Sequence, residues 1–176
     1  MRHVNVIDEP PVITLIGENQ VTVQLGELYT DAGATAGDSI DGDLTQYIKT
    51  NIDDLDTNTV GTFLLRYNVS DEAGLAAVEV IRTITVHDPY SPIIVMGGVT
   101  PIIIEIGSVY TDAGATATDY VDGDITDQIV TVSNLDKDNV GTYTITYNVT
   151  DLEGNSAIER IRTINVVDSP PVIKLI

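Results

Sequence analysis

The sequence predicts an all-β protein made of two tandem antiparallel β-sandwiches, on three observations. First, Tyr29–Asp43 returns almost unchanged at Tyr110–Asp124, both copies opening Tyr-Thr-Asp-Ala-Gly-Ala-Thr-Ala and closing Asp-Gly-Asp. Asp31 to Asp112 and Asp41 to Asp122 are the same shift of 81 positions (112 − 31 and 122 − 41). A long word repeated at one spacing marks a tandem repeat. Second, apolar and polar residues alternate with period two, most clearly where Tyr143, Ile145, Tyr147 and Val149 interleave with Thr144, Thr146, Asn148 and Thr150. That is the pattern of a strand buried on one face. Third, turn residues punctuate the chain every 8–12 positions or so, and no stretch carries a helical period, as in antiparallel sandwiches.

Composition fits two small domains. The 176 residues suit two units of about 80 each. Hydrophobic residues make up 43% and aromatics only 5%, with no Trp, so the cores must be built from Val, Ile, Leu and Ala with a few Tyr. There is no Cys, which excludes a disulfide-pinned sandwich, thiol catalysis and Cys-based zinc sites. The 27 acidic and 8 basic residues give a formal charge of −19. Nucleic acid and anionic lipid would be repelled and cations attracted. No apolar run is long enough for a membrane-spanning helix, and Met1-Arg2-His3 does not lead into the apolar block of a signal peptide.

Within the first repeat, Val12–Ile16 is a short apolar strand after a Pro pair, and Val21–Leu25 alternates and is expected to continue the same edge. Leu28–Ala36 reads as the second strand, with a bulge at Asp31–Gly33. Asp38–Asp43 is a turn-rich loop whose Asp-Gly pair favours a positive φ. Tyr47–Asn51 resumes a strand, and Asp53–Gly61 is a polar connection anchored by Leu55. Thr62–Ser70 is a strand with Phe63, Leu65, Tyr67 and Val69 facing in. Asp71–Gly74 is a hairpin tip, and Ala76–Val86 is the return strand. Arg2–Pro11 matches Arg82–Pro92 and Arg162–Pro171, while Pro171–Ile176 matches Pro11–Ile16. Residues 1–9 therefore read as the last strand of a preceding repeat or the start of the first. Residues 10–89 and 90–169 read as two full repeats, and 170–176 as the start of a following one.

Asp138-Asn-Val-Gly-Thr-Tyr143 resembles the corner that precedes strand F of immunoglobulin domains, where a Tyr hydroxyl bonds back to the chain. The first copy keeps Gly61 but has Phe63 for the Tyr. Together with the Tyr-Thr-Asp-Ala-Gly-Ala-Thr-Ala word, the Asp-Gly-Asp loop, Tyr147-Asn-Val-Thr-Asp151 and Arg162-Thr-Ile-Asn-Val-Val-Asp168, the chain resembles bacterial immunoglobulin-like tandem repeats. These are the type noted in pesticidal crystal proteins and related to hyalin repeats. The resemblance covers essentially the whole chain twice. It implies immunoglobulin-like sandwiches and an extracellular, cell-surface, modular setting, but no activity.

The acids are the candidate functional residues. Laying out the strands up and down brings the linker, the Asp-Gly-Asp loop and the hairpin tip to one pole of each repeat. That pole collects Asp8, Asp38, Asp41, Asp43 and Asp71, with Glu9 and Glu72, in the first repeat. In the second it collects Asp88, Asp119, Asp122, Asp124 and Asp151, with Glu153. Converging carboxylates repel unless a cation neutralises them, and calcium takes six to eight such oxygens. Calcium is thus the one cofactor expected, in a structural role; ordinary turn capping by Asp is the competing reading.

Asp31 and Asp112 lie away from the pole. With Arg82 and Arg162 recurring at matched places, they point to a repeated ion pair or a clamp on the backbone. No catalytic word is present, and His3 and His87 have no counterparts in the second repeat, so an enzyme is not expected. The function expected is a structural spacer of a surface protein, such as an adhesin stalk or surface-layer subunit, stiffened by calcium at repeat junctions. Its partners would be neighbouring repeats, with lateral self-assembly or a cell-surface glycan as further partners. The alternative is a carbohydrate- or ligand-binding accessory module of a secreted protein, with Tyr47, Tyr90 or Tyr120 as the candidate sugar contacts. Asn68-Val-Ser70 and Asn148-Val-Thr150 are glycosylation words on the outward face of a strand.

Overall fold

Strands form where the sequence alternates and stop where Gly, Asp and Asn interrupt. The computed structural model describes residues 7–170; the strand expected before residue 7 and the repeat start expected after residue 170 lie outside the described residues. The chain divides into two compact units between Asp88 and Pro89. The first runs β1 (Val12–Leu15), β2 (Gln20–Gln24), β3 (Ala34–Asp38), β4 (Gly42–Asp43), β5 (Lys49–Thr50), β6 (Gly61–Asn68) and β7 (Val80–His87). The second runs β8 (Ile93–Met96), β9 (Ile102–Glu105), β10 (Ala115–Asp119), β11 (Gly123–Asp124), β12 (Val130–Ser133), β13 (Gly141–Asn148) and β14 (Arg160–Val167).

Each unit is two facing sheets. In the first they are β1-β3-β4 and β2-β7-β6-β5; in the second, β8-β10-β11 and β9-β14-β13-β12. The central pair is the antiparallel β6/β7 hairpin, with Phe63 opposite Ile84 and Leu65 opposite Arg82. The alternation of this strand holds: Leu65, Tyr67 and Val69 are buried while Leu64, Arg66 and Asn68 are exposed. Ile13, Ala34, Ala36, Leu44, Leu65, Tyr67 and Val69 form one core. Ile94, Ala117, Ile125, Ile145, Tyr147, Val149 and Ile164 form the other. Full burial of a side chain such as Ile84 or Ile164 contributes about 1.5–3 kcal/mol.

Four details differ from the sequence reading. Val21–Leu25 does not continue the edge of β1. After Gly17 the chain crosses to the opposite sheet, where β2 pairs in parallel with β7, so the sheets are not purely antiparallel. One apolar run thus serves both layers, which period-two alternation cannot reveal. Second, residues 28–33 are not strand. The Asp31 carboxylate accepts the Gly33 N–H at 3.0 Å, and Gly33 has φ +81°, so the chain turns locally and joins the ladder only at Ala34. Third, the strand expected at Tyr47–Asn51 shrinks to the two-residue β5, and Tyr47 instead ends a 3-10 turn, Thr45–Tyr47. Fourth, the return strand starts at Val80; before it only Ala76 bridges back, to Ser70.

The least expected core residue is charged. Arg82 and Arg162 are 1% and 0% exposed and are the largest fully buried side chains. Each rises from the hairpin sheet and grips the other layer. The Arg82 guanidinium donates to the carbonyls of Ile16 (2.5 Å), Gly33 (3.2 Å) and Glu18 (2.9 Å). Arg162 donates to Gly97 (2.5 Å), Gly114 (3.1 Å) and Val99 (2.8 Å). Arg82 also pairs with Asp31, and Arg162 Nε pairs with Asp112 at 2.7 Å. The aspartates are held in turn by hydroxyls. Tyr67 donates to Asp31 at 2.8 Å and Tyr147 to Asp112 at 2.5 Å, with Tyr29 and Tyr110 behind them.

Burial alone would raise the Asp112 carboxyl. Donation from Tyr147, Tyr110 and the Gly114 N–H, with the Arg162 charge, outweighs it and holds the group below the ordinary value. Burial, and the hydrogen bond to Asp112, push the Tyr110 hydroxyl up to about 12. The pair is therefore ionised and fully bonded, the condition under which a buried charge is tolerated. The ion pair and the backbone clamp expected as alternatives are one device.

The corner at the start of β13 also forms: the Tyr143 hydroxyl donates to the Asn139 carbonyl at 3.0 Å, a bond that Phe63 cannot make.

Removing the guanidinium strands a carboxylate and three carbonyls. Arg162→Leu is expected to destabilise the second unit by about 3 kcal/mol, near the lower end for breaking a buried pair because Asp112 keeps some solvent contact. Adding Asp112→Ala should cost less than the sum of the two single changes. Urea unfolding read on amide signals of the second unit checks this. A cost no larger than that of the exposed Arg66→Leu would show the clamp to be dispensable.

Candidate functional site

The candidate pole is built by the ends of three segments. The start of β1 lies beside the end of β3, with Val12 opposite Gly37. The loop after β3 and the tip after β6 meet there, because the Asp41 carboxylate accepts the Glu72 N–H at 2.9 Å. Asp122 does the same for the Leu152 N–H, also at 2.9 Å.

The structure sorts the predicted acids by task. Asp43 and Asp124 cap the turns that follow them, accepting the N–H of Thr45 (2.9 Å) and Thr126 (3.0 Å). The hydroxyls and N–H groups of those threonines hold both carboxyls below the ordinary value. Gly42 and Gly123 have φ +78° and +72°, as the Asp-Gly pairs imply, and let β4 and β11 fold straight back on β3 and β10. Asp41 and Asp122 tie the loop to the tip.

Asp8, Asp38 and Asp71 remain, and each places a carboxylate oxygen within 4.8 Å of the others. In the second unit Asp119 and Asp151 stand at the positions of Asp38 and Asp71. Asp71, Asp88, Asp119 and Asp151 are buried; Asp8 and Asp38 are half-buried.

Asp38, Asp71, Asp119 and Asp151 are each oriented by the turn beneath them. Asp38 Oδ1 accepts the N–H of Ile40 (2.6 Å) and Asp41 (2.9 Å), and these backbone bonds lower its pKa. Asp119 Oδ1 accepts from Val121 (2.8 Å) and Asp122 (3.1 Å). Asp71 Oδ1 accepts the Leu75 N–H at 2.7 Å, and Asp151 Oδ1 the Asn155 N–H at 2.7 Å. Other oxygens have no such partner: Asp8 Oδ1, Asp71 Oδ2 and Asp119 Oδ2 are buried and accept no hydrogen bond. Burial, then repulsion from Asp71, Asp38 and Asp41, raises the Asp8 carboxyl.

Other sequence candidates fall elsewhere. Tyr90 and Tyr120 pack edge to face with ring centres 5.3 Å apart. Tyr47, 57% exposed, lines an open groove of about 610 Å³ with Gln46, Lys49 and Glu72. The Asn68 and Asn148 side-chain amides donate to Glu79 (2.9 Å) and Glu159 (2.8 Å) on the neighbouring segment. His87 ends β7, and His3 lies outside the described residues. The sequence reading missed the tyrosines that complete the Arg clamp. Their signal was present, since Tyr29 and Tyr67 recur as Tyr110 and Tyr147.

Two tandem sandwiches, each closed by a Tyr-backed Arg–Asp clamp and carrying acidic turns at one pole, define an immunoglobulin-like repeat array. Residues 13–86 and 94–166 each match the family described as bacterial surface protein, Ig-like domain, and the chain belongs to it. It is 29% identical over 177 residues to the pesticidal crystal protein Cry22Aa of Bacillus thuringiensis, covering 96% of this chain and 23% of that protein. It is 30% identical over 148 residues to an uncharacterised 81.3 kDa protein of Acholeplasma phage L2, covering 78% of this chain and 19% of that one. The chain thus spans about a fifth of the length of either relative. Among solved structures, the lipoprotein BT2262 of Bacteroides thetaiotaomicron aligns over 87% of this chain and 98% of its own at 18% identity, with a TM-score of 0.39. Among the described residues no helix is long and apolar enough to cross a membrane.

The loop-to-tip tie makes a local prediction. Asp122→Ala should cost about 1 kcal/mol, one hydrogen bond to a charged group at a partly exposed site. It should also speed hydrogen exchange at the Leu152 amide while leaving β13 amides protected. Unchanged exchange at Leu152 would show that the tip holds its own shape.

Proposed function

We propose that the chain is a spacer segment of a bacterial surface protein, working outside the cell as a structural repeat that carries and presents other domains. An adhesin stalk or a surface-layer subunit is the setting it fits, and its first partners are the neighbouring repeats of its own chain.

One observation carries this reading: the features the two repeats share are those that hold the fold. Tyr29, Asp31, Tyr67 and Arg82 return as Tyr110, Asp112, Tyr147 and Arg162, and Asp38 and Asp71 return as Asp119 and Asp151. Of the groove residues the acids Asp41, Asp43 and Asp71 return, but the side chains that would hold a sugar do not. Tyr47 becomes Gln128, Lys49 becomes Val130 and Glu72 becomes Leu152. A repeated binding module keeps its contact residues, whereas a spacer needs only its scaffold.

A glycan-binding accessory module is the second reading, favoured by the groove in the first unit. An exposed tyrosine ring beside hydrogen-bonding side chains is what a sugar stacks on. A glycan array probed with the labelled chain decides between the two. The spacer reading expects no saturable binding. A glycan bound saturably by the wild type and lost in Tyr47→Ala would overturn it.

A further inference from the structure

We propose that the three-aspartate group of the first unit, Asp8, Asp38 and Asp71, is a binding site for one calcium-class divalent cation. The spacing comes first. The three oxygens of the group lie within 4.8 Å of one another. Two oxygens bound to one calcium at about 2.4 Å stand at most about 4.8 Å apart. The group therefore already has the span of a single coordination shell.

The second observation is independent of spacing. Asp71 and Asp119 are 8% and 9% exposed, and the Oδ2 of each is buried and accepts no hydrogen bond; Asp8 Oδ1 is in the same state. A buried carboxylate oxygen without a partner is costly, so such atoms are rare unless something binds them. Among the described residues, the ion pairs engage Arg66, Arg82, Lys137 and Arg162, none with Asp8, Asp38, Asp71, Asp119 or Asp151. The other oxygens of Asp38, Asp71 and Asp119 are fixed by turn N–H groups, so these carboxylates are oriented before any ion arrives.

The donor set selects the ion. The group is all oxygen, with no His or Cys, which suits a hard cation. Three carboxylates leave positions for backbone carbonyls and water. Calcium accepts that irregular shell, and magnesium, which requires a tight octahedron, fits it less well. Of the acids at the pole, the Asp-Gly-Asp residues are excluded: Asp43 and Asp124 cap turns, and Asp41 and Asp122 tie loops.

Calorimetric titration of the chelator-stripped chain with calcium chloride tests the site. Calcium binding by the wild-type chain is expected, with melting raised by several degrees and a smaller response to magnesium. Asp71→Asn should remove one calcium ion from the stoichiometry. It keeps an oxygen in place of Oδ1 for the turn hydrogen bond while discarding the charge, and circular dichroism confirms that the variant folds. Asp43→Asn should leave the stoichiometry unchanged. A wild-type chain with no calcium heat and unchanged melting overturns the proposal, as does a stoichiometry unchanged in Asp71→Asn. Neither result touches the spacer reading, which the glycan array tests separately.

Discussion

A buried guanidinium closes each sandwich. Two sheets of Val, Ile, Leu and Ala have no direction of their own, because apolar packing tolerates sliding. Arg82 and Arg162 give them register. Each reaches from the central hairpin to carbonyls of the facing layer, at Ile16 and Gly33 or at Gly97 and Gly114. Those carbonyls belong to the ends of β1 and β8 and to the approaches of β3 and β10, so one side chain positions two strands. The aspartate compensates the charge and the tyrosines fix the aspartate. In disulfide-pinned immunoglobulin domains a covalent bond spans the layers at the core. This chain has no Cys, and an ionic hydrogen-bond network does the spanning.

The same local chemistry explains the acidic pole. An Asp before a turn uses one oxygen to cap backbone N–H groups, and the second is left to face whatever lies above the turn. Where the turn is exposed, as at Asp43 and Asp124, that second oxygen meets water. Asp41 and Asp122 turn one oxygen to the N–H of a neighbouring loop. Where the segment before β1 and two turns converge, at Asp8, Asp38 and Asp71, one carboxylate oxygen of each lies within 4.8 Å of the others. One loop word thus yields capping, tying and a cluster of charge, according to what the fold sets opposite each residue.

Much of the fold was legible because its signals are local or repeated. The 81-position shift marks the repeat, the alternation of Tyr143 to Val149 marks the central strand, and Asp138–Tyr143 marks the corner. The division of the first apolar segments between two sheets was not legible, since Val12–Leu15 and Gln20–Gln24 look alike in period and differ only in partner. The irregular Tyr29–Gly33 segment read as strand because its Tyr and Thr favour strands. It is held out of the ladder by Asp31, whose partner Arg82 lies 51 residues away. For the pole, the tasks of the individual acids were not legible. Whether an Asp caps, ties or clusters depends on contacts such as Asp41 with Glu72, 31 residues apart, which no local pattern encodes.

The central claim is that the guanidinium protons of Arg82 and Arg162 are locked into the inter-sheet network. Hydrogen exchange at the arginine Nε–H groups, followed by nitrogen-15 NMR, measures this directly. Arg82 and Arg162 should exchange as slowly as the core amides of β7 and β14, opening only with unfolding of their unit, while the exposed Arg66 exchanges freely. Exchange of Arg82 and Arg162 at the rate of Arg66 would contradict the account.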